Sequence, residues 1–199
     1  MTFSRDFLDE TVDVLGSVSD EDIEAVARVI RSTKDRDGRL FFCGSGGGAG
    51  HASHAACDFR KLAGIESYSV TDNVSELTAR INDEGWETSY ADWLKASRLA
   101  RRDCLFVFSV GGGDERHGVS TNLVAAMQLA KRVGSSLVGV AGRDGGTLRE
   151  LADASIVIPV ANPKHMTPQT EGLQALMWHL IVSHPDLASN TAKWESLTP

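Results

Sequence analysis

His54 and Asp58 stand four residues apart in a stretch, 48–63, that reads as a helix. At that spacing an imidazole and a carboxylate leave one helix face together and can grip a single divalent cation. The same spacing also describes an ordinary surface His–Asp contact. What weights the pair towards chemistry is its place, directly behind the run Gly44-Ser45-Gly46-Gly47-Gly48-Ala49-Gly50. Glycines let a backbone approach an anion or a sugar closely, and the helix start behind them offers unpaired N–H groups and a partial positive charge. The dinucleotide fingerprint G-x-G-x-x-G fits this run less well: Gly44 and Gly46 meet it, Ala49 does not, although Asp72 could mimic a ribose ligand.

Near the other end of the chain, Glu171 and His179 are eight residues apart. On an ideal helix that is roughly 80° of rotation and about 12 Å of rise, so they cannot chelate as helix neighbours do. Both can flank one site if Glu171 lies in the first turn and reaches inward. His179 sits roughly 110° from the centre of the apolar stripe Leu173, Leu176, Met177 and Leu180, so it is not core filler. A solvated flank or a subunit contact is its plain alternative.

A third cluster is Ser109-Val110-Gly111-Gly112-Gly113-Asp114, with Ser120, Thr121 and Asn122 opening the next helix. Backbone N–H groups and serine hydroxyls at a helix start hold phosphate without Lys or Arg; a flexible turn is the alternative. Asp114 and Glu115 would repel a phosphate there unless Arg116 or His117 compensates. Thr71-Asp72-Asn73 and Asn82-Asp83 follow the second strand and suit sugar hydroxyls, or turns and caps.

The elements that must position these groups alternate. Leu8, Val12 and Leu15 fall at helical spacing, then Ile23, Val26, Ala27 and Ile30, with Ser19 as the expected cap of the second helix and Asp37-Gly38 ending it. Strand-like apolar runs follow at 40–44, 66–70, 104–110, 136–142 and 155–160, as parallel strands covered on both faces require. Leu123, Ala126, Met127 and Ala130 mark one covering helix, and the stripe around Leu173 the last. The expectation is a three-layer α/β/α fold with a five-stranded parallel sheet, in a single domain: N-terminal helices over 1–36, an α/β core over 37–186 and a tail over 187–199. Such sheets bind ligands beyond the carboxyl ends of their strands.

Bulk composition narrows the function. The 199 residues are 42% hydrophobic and 24% charged, with a net charge of −7 and no Lys/Arg-rich block. Nucleic acid and acidic membrane surfaces are therefore unexpected partners. No basic start leads into an apolar run, and no apolar stretch is long enough to span a bilayer, so the expected location is the cytosol. Cys43, Cys57 and Cys104 form no metal-spaced set and are expected to be reduced, Cys104 as a small buried hydrophobe.

Taken together, residues 5–184 resemble the sedoheptulose 7-phosphate isomerases (phosphoheptose isomerases) of the sugar isomerase (SIS) fold. The blocks that carry the resemblance are FFCGSGGGAGHASHAACD, SELTARINDEGWE and VGVAGRDGGTLRELADASIVIPV. The resemblance implies a metal site on His54, Asp58, Glu171 and His179, filled by zinc or another divalent cation. It implies Asp58 as the base and His179 as the second acid/base. Substrate contacts would fall on Ser45, Gly46, Gly47, Asn82 and Asp83, with Ser109, Val110, Gly111 and Ser120 in the phosphate loop, and the assembly would be a homotetramer. Four departures stand out: Asp58 replaces a glutamate, Glu171 a neutral amide and Ser45 an asparagine, and the usual S-T-S-G-N-S loop is altered and longer by about six residues. The expected activity is a metal-dependent ketose/aldose isomerisation of a sugar phosphate, with a non-catalytic SIS binding module, or an isomerase of a different long-chain sugar phosphate, as alternatives.

Overall fold

The computed structural model describes residues 2–194 and Leu197; the final part of the expected tail, at Glu195, Ser196, Thr198 and Pro199, lies outside the described residues. Five parallel strands, β1 (Leu40–Gly44), β2 (Ser67–Ser69), β3 (Cys104–Ser109), β4 (Ser136–Ala141) and β5 (Ala154–Val157), form one sheet in the order β2-β1-β3-β4-β5. The helices are α1 (Phe3–Gly16), α2 (Asp20–Asp35), α3 (Gly47–Lys61), α4 (Val74–Asp83), α5 (Ser89–Ala96), α6 (Thr121–Val133), α7 (Gly146–Leu151) and α8 (Met166–Val182).

Period-two alternation builds the three layers. Leu40, Phe42, Phe106, Phe108, Val138 and Val140 face α2, α3 and α8, whereas Phe41, Cys43, Leu105, Val107, Leu137 and Ala141 face α5, α6 and α7. Both faces of the central strands β1, β3 and β4 are buried, which is why they read as unbroken apolar runs, whereas the edge strands β2 and β5 are partly open, with Tyr68 exposed. Winding reverses between β1 and β3, so the loops after these two strands diverge to opposite sides and leave a crevice at their carboxyl ends. The glycine run follows β1 and the serine-glycine loop follows β3, so the fold brings two of the three chemical clusters to that crevice.

Ser19 does cap α2: its hydroxyl accepts the Asp22 N–H at 3.1 Å, and Asp20, Glu21 and Asp22 line the positive helix end. Ser19→Ala should lower unfolding stability by about 1 kcal/mol. A urea titration reading the same midpoint as wild type would contradict this.

Several expectations change. The stretch between β2 and β3 holds two helices that spacing did not single out, α4 and α5, and Asn82 and Asp83 end the first of them. Leu8, Val12 and Leu15 do not enter this chain's core, and Val12 is 66% exposed; α1 is held instead by Val14, which joins the core, and by His165, whose Nδ1 lies 2.7 Å from Glu10 and whose ring meets Phe3 and Phe7. On α8, Leu173 and Met177 are buried with Trp178 and Ile181, but Leu176 and Leu180 are exposed. The start of the tail is anchored: Leu187 is fully buried and the Ser189 and Asn190 N–H groups donate to the Leu62 carbonyl. Cys43, Cys57 and Cys104 are free thiols, and Cys104 is buried.

Candidate active site

The glycine run is a packing device as much as a ligand loop. A Cβ at Gly44 would stand 2.3 Å from the Gly48 backbone, and one at Gly48 would stand 2.8 Å from the Phe108 carbonyl. Helix α3 can therefore start close against β1 and β3 only because these positions lack side chains. Gly46 turns the chain with φ 58, and α3 begins at the next residue, its amino end directed to the crevice. Beneath the turn, the Tyr90 hydroxyl donates to the Gly44 carbonyl at 2.8 Å and Asn122 Nδ2 donates to Ser45 Oγ at 3.3 Å.

Burial pushes the Tyr90 phenol up to about 12, partly offset by its side-chain hydrogen bonds with Ser45 and Asn122. The unfolded phenol loses its proton near its ordinary value of 10.0. Stability from this group is thus complete below that pH and is lost as pH rises through the folded value. Tyr90→Phe should flatten the alkaline fall in stability between about pH 10 and 12 relative to wild type; parallel alkaline melts of the two proteins would contradict the assignment.

Helix α8 enters from the other side. Gln174 is fully buried, and its Nε2 donates to the Ser109 and Val140 carbonyls, both at 3.0 Å, clamping α8 across the ends of β3 and β4. One turn later Trp178 is buried, its ring stacked on His179 at 3.4 Å between centroids and edge-on to His54 at 4.7 Å. The result is convergence: one ligand atom each from His54, Asp58 and His179 lies within 4.8 Å of the other two. His54 Nε2 and Asp58 Oδ2 are 3.7 Å apart. Tetrahedral ligands about 2.0–2.1 Å from a zinc ion are roughly 3.3 Å apart, so small side-chain rotations suffice. His179 Nδ1 donates to the Ala175 carbonyl at 2.7 Å, which fixes the tautomer and leaves Nε2 with its lone pair free. Two imidazoles and a carboxylate are a donor set that suits zinc.

Glu171 is not part of that group of three. Its carboxylate lies over the glycine turn, 2.5 Å from where a Gly47 Cβ would stand, so Gly47 is the residue that makes room for it. Inward reach from the first turns of α8 thus places Glu171 beside the loop. His51 is a site neighbour that spacing did not single out. It lies near Glu171, His54 and His179, and burial lowers its pKa against the opposing effect of a hydrogen bond to the Glu171 backbone. Its position three residues before His54 was the available signal; Trp178 and Tyr90 gave none, because only folding brings them here.

The remaining candidates divide. Ser109 Oγ accepts the Gly112 N–H at 3.0 Å and shapes its own turn. The Val110 carbonyl accepts the Gly142 N–H at 2.9 Å, and Gly111 packs beside Arg143. Ser120 precedes α6 with φ 54 and makes no side-chain capping bond. Asn82 and Asp83 hydrogen-bond to each other at 2.7 Å at the exposed end of α4. Of the two carboxylates in the loop, Asp114 lies 2.7 Å from His117 Nδ1, and Glu115 accepts a hydrogen bond from the neutral Gln128 amide at 3.2 Å and keeps its charge. Among the described residues no helix is long and apolar enough to cross a membrane.

Comparison with known proteins finds relatives over most of the chain. The SIS domain pattern matches residues 6–142. The lincomycin biosynthesis protein LmbN of Streptomyces lincolnensis is 35% identical over 191 residues, covering 90% of this chain and 68% of LmbN. A phosphoheptose isomerase of Akkermansia muciniphila is 33% identical over 168 residues, covering 82% of this chain and 80% of its own. The fold is that of phosphoheptose isomerase GmhA from Neisseria gonorrhoeae, with a TM-score of 0.76 at 23% identity over 89% of this chain and 94% of that one. With the parallel five-stranded sheet, the glycine turn at its switch point and the relatives covered over most of their length, the chain belongs to the SIS domain family as a divergent member of its phosphoheptose isomerase group, and is an aldose–ketose isomerase by class.

Proposed function

We propose that the chain is a divalent-cation-dependent isomerase of a sugar phosphate, interconverting sedoheptulose 7-phosphate and a heptose 7-phosphate as a single SIS domain in a cytosolic homotetramer. The convergence of His54, Asp58 and His179 beside the glycine turn carries this reading. These three residues would hold the cation, with Glu171 adding negative charge at the neighbouring turn. A bound divalent cation supplies Lewis-acid polarisation of a substrate carbonyl.

The chain's own residues do the rest. Asp58 moves the carbon-bound proton between C1 and C2 through an enediol, and its second oxygen remains available for the cation. His179 offers a single free nitrogen, Nε2, so at any moment it either binds the cation or exchanges the hydroxyl proton. Ser45 and the backbone at Gly46 and Gly47 orient the sugar. Asn82 and Asp83 contact its hydroxyls, and Ser109, Val110, Gly111 and Ser120 frame the phosphate. Exposed apolar positions on α1 and α8, Leu8 and Val12 with Leu176 and Leu180, support assembly, since they are left without cover by this chain.

Elemental analysis of the purified protein tests the cation. One equivalent of zinc or another divalent metal per chain, lost in His54→Ala, is the expected result. A metal content that His54→Ala leaves unchanged would contradict the site.

A further inference from the structure

The sequence holds no Lys/Arg-rich block, yet the fold gathers arginines at the amino ends of the strands, the pole opposite the crevice. Arg36 closes α2, and Arg101 and Arg102 lead into β3. All three line a hollow of about 490 Å3 with Gly134 and with Ser136, the first residue of β4. The six residues of β3 separate this hollow from the crevice, roughly 20 Å at a rise of about 3.3 Å per residue. None of the three convergent residues lines it, and neither does the loop after β3.

Elsewhere several arginines are matched to carboxylates: Arg31 to Asp35, Arg39 to Asp103, and Arg80 to Glu76 and Glu84. Arg36 is held by five oxygen atoms, and none is charged. Its Nε donates to the Arg102 carbonyl at 2.8 Å and its Nη1 to Ser32 Oγ at 3.1 Å. Its Nη2 reaches Ser136 Oγ at 2.8 Å, Thr33 Oγ1 at 3.1 Å and the Asp103 carbonyl at 3.4 Å. The guanidinium is thus fixed in place with its charge uncompensated. Arg101 makes no hydrogen bond or ion pair among the described residues. Arg102 Nε lies 3.8 Å from Asp103 Oδ1, but that carboxylate is fully buried and already accepts from the Arg39 guanidinium and from the Arg39 and Ala100 N–H groups. No carboxylate lines the hollow. Asp153 lines an adjoining one that shares Ser136, and it accepts from Lys131 Nζ and the Leu137 N–H. Helix ends offset part of the charge: α2 and α6 both stop at this pole, each with about half a negative charge on its last carbonyls. Roughly one negative charge then faces three full positive ones.

We infer that this hollow binds a small oxyanion carrying two or more charges, apart from the isomerase site and independently of the function proposed above. Arg36 supplies a fixed positive charge, and Arg101 and Arg102, both exposed, supply planar forks that match pairs of oxygen atoms. Size follows from the charge of the whole chain. At a net −7, a long polyanion would run from this pole onto acidic surface and be repelled, whereas a small one stays within about 8–10 Å of the arginines, the screening length at ordinary salt. The volume is also that of a small-ligand pocket.

Calorimetric titration of the full chain with inorganic pyrophosphate at low ionic strength tests the site whether or not the protein turns over a sugar. A saturable event of one equivalent per chain is expected, weakening as sodium chloride is raised. The double variant Arg101→Gln/Arg102→Gln should bind about tenfold or more weakly, with a wild-type circular dichroism spectrum because both side chains are exposed. Arg143→Gln, which changes an arginine beside Gly111 at the crevice end, should bind as wild type. Absence of saturable binding, binding unchanged in the double variant, or a loss in Arg143→Gln equal to that in the double variant would overturn the inference.

Discussion

Asp58→Asn should reduce kcat for ketose–aldose conversion by about 10²–10⁴-fold, the usual contribution of a positioned general base. The amide keeps the shape and hydrogen-bonding reach of the carboxylate but cannot take a proton from carbon. His179→Ala should be as severe, because the only free nitrogen of that ring is lost whichever task it performs. Asp58 is only partly buried and His179 is exposed, so neither substitution should move the melting temperature by more than a few degrees. Either variant folding normally and isomerising at near wild-type rate removes that residue from the chemistry. The pair of variants also separates the two tasks of His179. A variant that keeps its metal yet loses turnover points to proton transfer, whereas loss of both points to the cation.

Trp178→Ala is expected to act on stability and site together. The indole is 1% exposed, within the cluster that joins α8 to α2 and α3. Deleting a buried ring of this size costs about 3–5 kcal/mol. The same ring packs against both His54 and His179, so its loss frees both imidazoles to turn, and cation affinity should fall by about 10–100-fold, as when supporting groups of a metal site are removed. Trp178→Phe should recover most of both. Calorimetric melting and metal titration on the same samples check the pair; an alanine variant that loses stability but binds the cation as wild type would make Trp178 a core residue only.

How much of this was legible beforehand depended on distance along the chain. The layers were readable because strands buried on both faces leave continuous apolar runs, and the glycine run and the H-x-x-x-D pair are local. That α8 would meet α3 was not visible in spacing: Glu171 and His179 are eight residues apart on one helix, and their relation to His54 is set by Gln174 clamping the strand ends and Trp178 packing against both imidazoles. Family resemblance supplied that long-range link, and the structure shows its cause. It also places the Glu171 carboxylate over Gly47 and outside the group of three, a position that an eight-residue interval could not reveal. Helices α4 and α5 were missed because their apolar positions, such as Leu77, Tyr90 and Leu94, are sparse and interrupted by a charged turn. The α1 stripe misled differently: its period is helical, but its apolar face finds no cover within the chain.

The most direct test of the central claim is the reaction of sedoheptulose 7-phosphate in D2O, followed by NMR with and without a chelator. The account predicts an aldose phosphate carrying deuterium at C2, formed only while a divalent cation is bound. Conversion that continues undiminished after the protein has been stripped of metal would contradict it, as would deuterium-free product from a reaction that Asp58→Asn leaves at the wild-type rate.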